Sequence, residues 1–161
     1  NLEIDIGITY IGTELVQRFH TVRLYAEQYA LLVAPGHPFA DRAHVSWADA
    51  GRLPLCLLTG DMQNRRIIDR HLADAGVEIP PMLESNSMTM LHVHVRSGLF
   101  ATIAAVGTGE RFAAPMELIA IPIVEPAVTH EIGLVLKARE PHPPHVSAFL
   151  TMARKFAPPS V

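Results

Sequence analysis

The chain has 161 residues, enough for one α/β domain or two small lobes with a real core. Apolar residues make up 49% and charged residues 18%, which excludes a disordered chain. A net charge of −3 without any basic block excludes a segment that itself grips nucleic acid through phosphates, and no stretch reaches the length of a membrane span.

In chain order, Ile4, Ile6 and Ile8 alternate with Asp5 and Gly7, the period of a half-buried strand. The sequence starts directly in this pattern, without Met or a secretory signal, so a piece of a longer polypeptide is expected. Residues 14–20 read as a short helical turn or irregular chain. A second strand is predicted over residues 29–34, stopped by Pro35, Gly36 and Pro38. Ser46 and Asp49 bracket a short helix, with Ser46 as its N-cap.

The most informative stretch follows. Residues 55–58 are a continuous apolar run, which suits a strand buried on both faces. The single cysteine, Cys56, sits inside it and reads as a buried small hydrophobe. Thr59, Gly60 and Asp61 are turn and N-cap residues, with Asp61 heading the helix. Met62, Ile67, Ile68 and Leu72 then recur at helical spacing, with Arg65, Arg66, Asp69 and Arg70 mostly on other faces. Gly76 is the expected C′ residue. Such a strand–turn–helix unit leaves backbone N–H groups open at a helix N-terminus, a ready anion site, although most such units bind nothing.

Further strands are predicted at residues 82–85, 100–104, 118–121 and 132–136. A helix opens at Asn86, Ser87 and Thr89 and ends at Gly98, and a loop is expected at Gly107, Thr108 and Gly109. Pro141, Pro143 and Pro144 break the chain before a last helix over residues 145–156. Strands alternating with helices predict a mainly parallel α/β sheet.

Nine histidines invite a metal reading. His92 and His94 share a face only in a strand, and the flanking signals favour a helix, where they diverge. No metal site is expected. No Cys pair, nucleophile elbow, Walker motif or dinucleotide glycine pattern is present, so neither a catalytic residue nor a cofactor is predicted. What remains is a set of strand ends carrying small hydroxyl and amide side chains: Thr9 and Tyr10, residues 59–65, residues 85–88, and Thr102. Ligands of open parallel sheets sit outside such carboxyl ends.

Several motifs together resemble the effector-binding domain of LysR-type transcriptional regulators. Residues 2–8 (LEIDIGI) are similar to that family's LDIGI strand. Residues 31–40, with Pro35-Gly36-His37-Pro38-Phe39-Ala40, are similar to its hPLa turn, and residues 45–50 to its short acidic helix. Glu84-Ser85-Asn86-Ser87, the helix after them and the late strand pair match in order, and the Asn86-Ser87 form is most similar to the cyanate-operon regulator branch. Gly98-Leu99-Phe100 and Ala105 depart from the family's usual G-x-G and proline.

The resemblance implies an α/β fold of two Rossmann-like lobes joined by two crossover strands, of type II periplasmic-binding-protein kind and N-terminally truncated. Lobe I would comprise residues 1–25 and 122–161, and lobe II residues 26–121. A small anionic effector would lie between them, against Thr59, Gly60, Met62, Gln63, Asn64 and Arg65, faced by Thr9, Tyr10, Ser87 and Thr102. Asp61 opposes an anion unless it serves only as a cap; the alternative has Arg65 solvated and a neutral ligand or none. Side-by-side antiparallel dimers are implied, with residues 30–33 and the early helical segments near the contact, and tetramers for the full-length protein. DNA would be bound only through a missing winged helix-turn-helix, with no membrane contact and a cytoplasmic location. A solute-binding protein for transport is the alternative, and an enzyme is disfavoured by the missing acid, base and nucleophile set.

Overall fold

A computed structural model describes residues 4–105, 117–137 and 141–155. The chain divides into two units, Asn1–Glu27 with Thr129–Val161, and Gln28–Val128.

In the first unit, β1 (Ile6–Tyr10) pairs antiparallel with β8 (Thr129–Leu136), with Ile6 opposite Leu136 and Ile8 opposite Leu134. β8 in turn neighbours β2 (His20–Val33), whose early residues belong to this unit. A short helix, α1 (Thr13–Arg18), connects β1 to β2. Gly133 in β8 has no room for a side chain: a Cβ there would stand 2.5 Å from the Val22 carbonyl oxygen. The last helix, α5 (Pro144–Ala153), opens with Pro144 in its first turn, where the missing N–H costs nothing. It lays Val146 and Leu150 on Leu24, Leu134 and Leu136. The alternation that predicts burial for Ile4 and Ile8 is there, yet they remain 71% and 60% exposed.

The chain enters the second unit inside β2. There Leu31 faces Ile103 of β6 (Thr102–Ala105) on one side and Ile121 of β7 (Ile119–Val124) on the other, both antiparallel. β3 (Val45–Ser46) runs parallel to β7, and β4 (Cys56–Leu58) parallel to β5 (Leu83–Ser85). A parallel bridge from Leu55 to Ala101 ties β4 to the start of β6. Both faces of β2 are covered here. Tyr29, Leu31 and Val33 join Trp47, Leu57, Ile68 and Leu72 in one cluster, while Leu32 joins Cys56, Leu91 and Val95 in another. A strand buried on both sides has no polar face, hence the unbroken apolar runs.

Three helices belong to this unit: α2 (Trp47–Gly51), α3 (Gln63–Asp74) and α4 (Met88–Arg96). As predicted, Ser46 caps α2 by accepting the Asp49 N–H at 3.0 Å, and Gly76 takes the left-handed conformation (φ 74°) just beyond the end of α3.

The α/β class holds, but the mainly parallel sheet is corrected. β2 pairs antiparallel with β6 and β7, and β1 with β8. Periodicity identifies a strand without choosing its non-local partner. Residues 30–33 lie 0–3% exposed between β6 and β7, so they offer little surface of their own. The predicted loop at Gly107, Thr108 and Gly109, the first three residues and the last residue of the final predicted helix lie outside the described residues.

Candidate functional site

The candidate site residues cluster at the carboxyl ends of β4 and β5. Leu58, the last residue of β4, is in register with Ser85, the last of β5, so the loops that leave them start about 5 Å apart. After Leu58 the Met62 N–H donates to the Thr59 carbonyl at 3.0 Å, closing a tight turn into α3. After Ser85 the Ser87 N–H donates to the Ser85 Oγ at 3.1 Å, and the Ser87 Oγ accepts the Met90 N–H at 3.4 Å as N-cap of α4.

The two helix starts differ. Ser87 supplies a side-chain acceptor to α4, whereas the N-cap of α3 is Met62, in extended conformation and with no side-chain hydrogen bond. The expectation that Asp61 heads α3 is therefore corrected. The helix begins at Gln63, one residue too late for Asp61 to be its cap. The Asp61 carboxylate is exposed and held below the ordinary carboxylate range, chiefly by a hydrogen bond from Thr59. Met62 thus supplies no side-chain acceptor to the first-turn N–H groups of α3. Arg66 draws the turn's carbonyls outward: its guanidinium donates to the Asp61 oxygen at 2.9 Å and the Gly60 oxygen at 3.3 Å.

Arg65 is corrected as an effector ligand. It lies on the buried face of α3 with Ile68 and Leu72, only 8% exposed. Its Nη1 donates to the Leu58 carbonyl at 2.6 Å and to Glu84, and its Nε donates to Asp69 at 2.7 Å. Burial opposes its charge, but the hydrogen bonds to Asp69 and Glu84 outweigh burial and raise its pKa. Arg65 is a brace under the turn, joining the end of β4, β5 and α3.

The remaining predicted residues fall into three groups. Thr59, Gly60, Met62, Gln63, Asn64 and Ser87 come together at this end of β4 and β5. The Asn64 side-chain amide donates to the Tyr29 hydroxyl at 3.5 Å. Thr102 does not face a ligand: it begins β6 rather than ending it, and it is 0% exposed. Thr9 and Tyr10 belong to the other unit, where the Tyr10 hydroxyl donates to the buried Glu27 carboxylate at 3.1 Å. Glu27 escaped the sequence reading; the alternation Tyr25, Glu27, Tyr29 within β2 was its only signal.

No group of metal-ligating side chains occurs among the described residues. His92 is buried in α4, whereas His94 packs edge-on to Phe100 at 5.8 Å, so the helix separates them. Burial pushes the Cys56 thiol up to about 11, which leaves it protonated and inert. No helix among the described residues is long and apolar enough to cross a membrane.

In open α/β sheets small ligands sit at the carboxyl ends of parallel strands, where helix N-termini begin. The family model for the LysR substrate binding domain matches residues 1–158, and the chain belongs to that family. It is similar to a probable nitrogen assimilation transcriptional activator of Synechococcus elongatus, at 24% identity over 82% of this chain and 43% of that protein. The chain thus spans less than half the length of that regulator. Its fold is similar to the CcmR regulatory domain of Synechocystis PCC6803 in complex with 2-PG, with a TM-score of 0.81 at 14% identity over 98% of this chain and 75% of that one. It is also similar to the effector binding domain of QuiR in complex with shikimate, with a TM-score of 0.79 at 18% identity over 95% of this chain and 71% of that one.

Proposed function

We propose that this chain is the effector-sensing part of a LysR-type transcriptional regulator. It binds a small anion, without chemistry, at the turn formed by Thr59, Gly60, Met62, Gln63, Asn64 and Ser87. Binding biases the conformation of the full-length protein, whose winged helix-turn-helix lies outside these residues and acts on DNA in the cytoplasm. In this reading residues 1–25 and 122–161 form one lobe, residues 26–121 form the other, and the protein works as a dimer.

The single observation that carries the anion is the uncapped start of α3 beside the start of α4. Each terminus favours a nearby anion by about 0.3–1 kcal/mol when exposed. Gln63 and Asn64 add amide donors, and Ser87 a hydroxyl. Arg65 contributes indirectly, by fixing the strand end beneath the turn.

Calorimetry with 2-PG and shikimate as probes tests this reading. Ser87→Asp is the informative variant, because Asp is an equally good N-cap and keeps α4 intact while adding a negative charge. Anion affinity is expected to fall about tenfold, or 1.4 kcal/mol, with the unfolding midpoint unchanged. Asn64→Asp should act in the same direction. Unchanged or tighter binding in both variants, or no heat with any small acid on the full-length protein, would show that the site lies elsewhere.

A further inference from the structure

The Gln28–Val128 unit carries a groove of about 270 Å³ between α3 and residues 77–81, which follow it. Leu72, Val77, Ile79, Pro80 and Pro81 form its apolar walls, and Arg65, Asp69 and Glu78 its charged ones. Drug-sized ligands occupy sites of roughly 300–1,000 Å³, so this groove fits a smaller molecule.

The groove is built to hold its shape. Gly76 takes the left-handed conformation, and the Val77 N–H donates back to the Leu72 carbonyl at 2.9 Å, which turns the chain along α3. Ile79 and Pro80 each precede a proline, which favours extended backbone. The Met82 N–H then donates to the Leu55 carbonyl at 2.8 Å and fixes the far end. A wall held at both ends loses little freedom when a ligand settles against it.

Charge selects the ligand. The Arg65 side chain is 9% exposed, and its guanidinium carries donors on Nε, Nη1 and Nη2. Nε donates to Asp69, and Nη1 to the Leu58 carbonyl and Glu84. Among the described residues Nη2 has no hydrogen-bond partner, and it is not sealed from solvent. Because Arg65 lines the groove, the Nη2 donors open into it. They need an acceptor. The carboxylates need the opposite. Asp69 and Glu84 outnumber the guanidinium between them, and exposed Glu78 has no ion pair among the described residues. A simple anion meets that excess negative charge, and a simple cation leaves Nη2 unmet. A molecule with both a carboxylate and an ammonium on a short apolar body satisfies the donors, the carboxylates and the walls together.

We propose that this groove binds a small aliphatic amino acid. Its carboxylate accepts from Arg65 Nη2, its ammonium lies by Asp69 and Glu78, and its side chain covers Leu72, Ile79 and Pro80. This site is separate from the turn after β4, and it stands whether or not that turn holds an anion.

Calorimetry on the full-length protein tests it, with L-leucine, isoamylamine and isocaproate as probes. Leucine is expected to bind with a Kd of about 1 mM or tighter. The amine lacks the carboxylate and the acid lacks the ammonium, so each should bind at least about tenfold more weakly. Ala73 is an exposed groove residue on α3, and Ala73→Leu fills the groove while keeping a strong helix former. It should weaken leucine at least about tenfold, and Glu78→Gln about three- to fivefold, the weight of an exposed charge pair. Both variants should unfold at the wild-type midpoint. Ser87→Asp, at the turn, should leave leucine binding unchanged. No heat with leucine would overturn the proposal. So would an isoamylamine affinity equal to that of leucine, since the groove would then be a plain acidic surface. Leucine binding that Ser87→Asp weakens and Ala73→Leu spares would move the ligand to the turn and overturn the proposal as well.

Discussion

The two units bury their apolar surface to different degrees. In Gln28–Val128 the central strand is covered on both faces, and Trp47, Leu31, Leu57 and Ile68 are at most 1% exposed. In the other unit α5 packs on one face, and Ile4, Ile8, Tyr25, Phe149 and Met152 stay 45–71% exposed. Both units are written in the same sequence language of apolar residues at strand and helix spacing. The pattern therefore reports which face is apolar, and not how completely that face is buried.

The largest expected effect is in the closed core. Trp47 packs edge-on to Tyr29 and against the His71 ring, and its indole N–H donates to the Pro126 carbonyl at 3.1 Å. Trp47→Ala should cost about 3–5 kcal/mol in denaturant unfolding. A cost below about 1 kcal/mol would erase the contrast between the units. Next comes the brace under the turn. Arg65→Met removes the donor to the buried Leu58 carbonyl, while Asp69 and Glu84 are half-exposed and rehydrate, so the loss should be about 1–3 kcal/mol. Anion affinity should weaken in parallel as the turn loosens, and an unaltered affinity would remove Arg65 from the site's support.

A smaller effect is read in pH. Burial holds the pKa of His92 below 6.5, so the folded chain keeps it neutral while the unfolded chain takes up a proton. Stability is therefore complete above the unfolded value of 6.5 and falls as pH drops below it. His37 and His71 are lowered in the same sense, again first by burial. His92→Leu should flatten the loss of stability between pH 7 and pH 5 without abolishing it; an unchanged slope would mean His92 is already charged in the fold. The smallest effect belongs to the open unit, where Met152→Lys should change the unfolding free energy of the 161-residue chain by less than about 0.5 kcal/mol.

Much of this was legible in the residues. Local signals act over a few positions, so Ser46 and Ser87 as caps, Gly76 after α3, and the apolar run of β4 could all be read directly. The turn from β4 into α3 was legible for the same reason, since Thr59 and Gly60 close a strand and precede a helical pattern. Arg65 was misread as an effector ligand because a guanidinium in the first turn of a helix looks available to an anion; its burial depends on Leu58 and Glu84, which approach only when β4 and β5 pair. Thr102 was misplaced because a strand's first residue resembles its last until its partners are known.

By itself, then, the sequence determined the order of most strands, helices and turns, the α/β class and the family, because each rests on short-range periodicity, capping chemistry or an ordered set of motifs; it missed residues 20–28 of β2, whose apolar pattern is broken by exposed polar residues. The tertiary structure alone decided that β2 pairs antiparallel with β6 and β7, that Arg65 points inward while Arg66 holds the turn's carbonyls, and that one face of β1 and α5 stands uncovered. Pairing, the partners of a buried charge and the completeness of a core depend on groups distant in sequence, and no local pattern encodes which of those groups arrive.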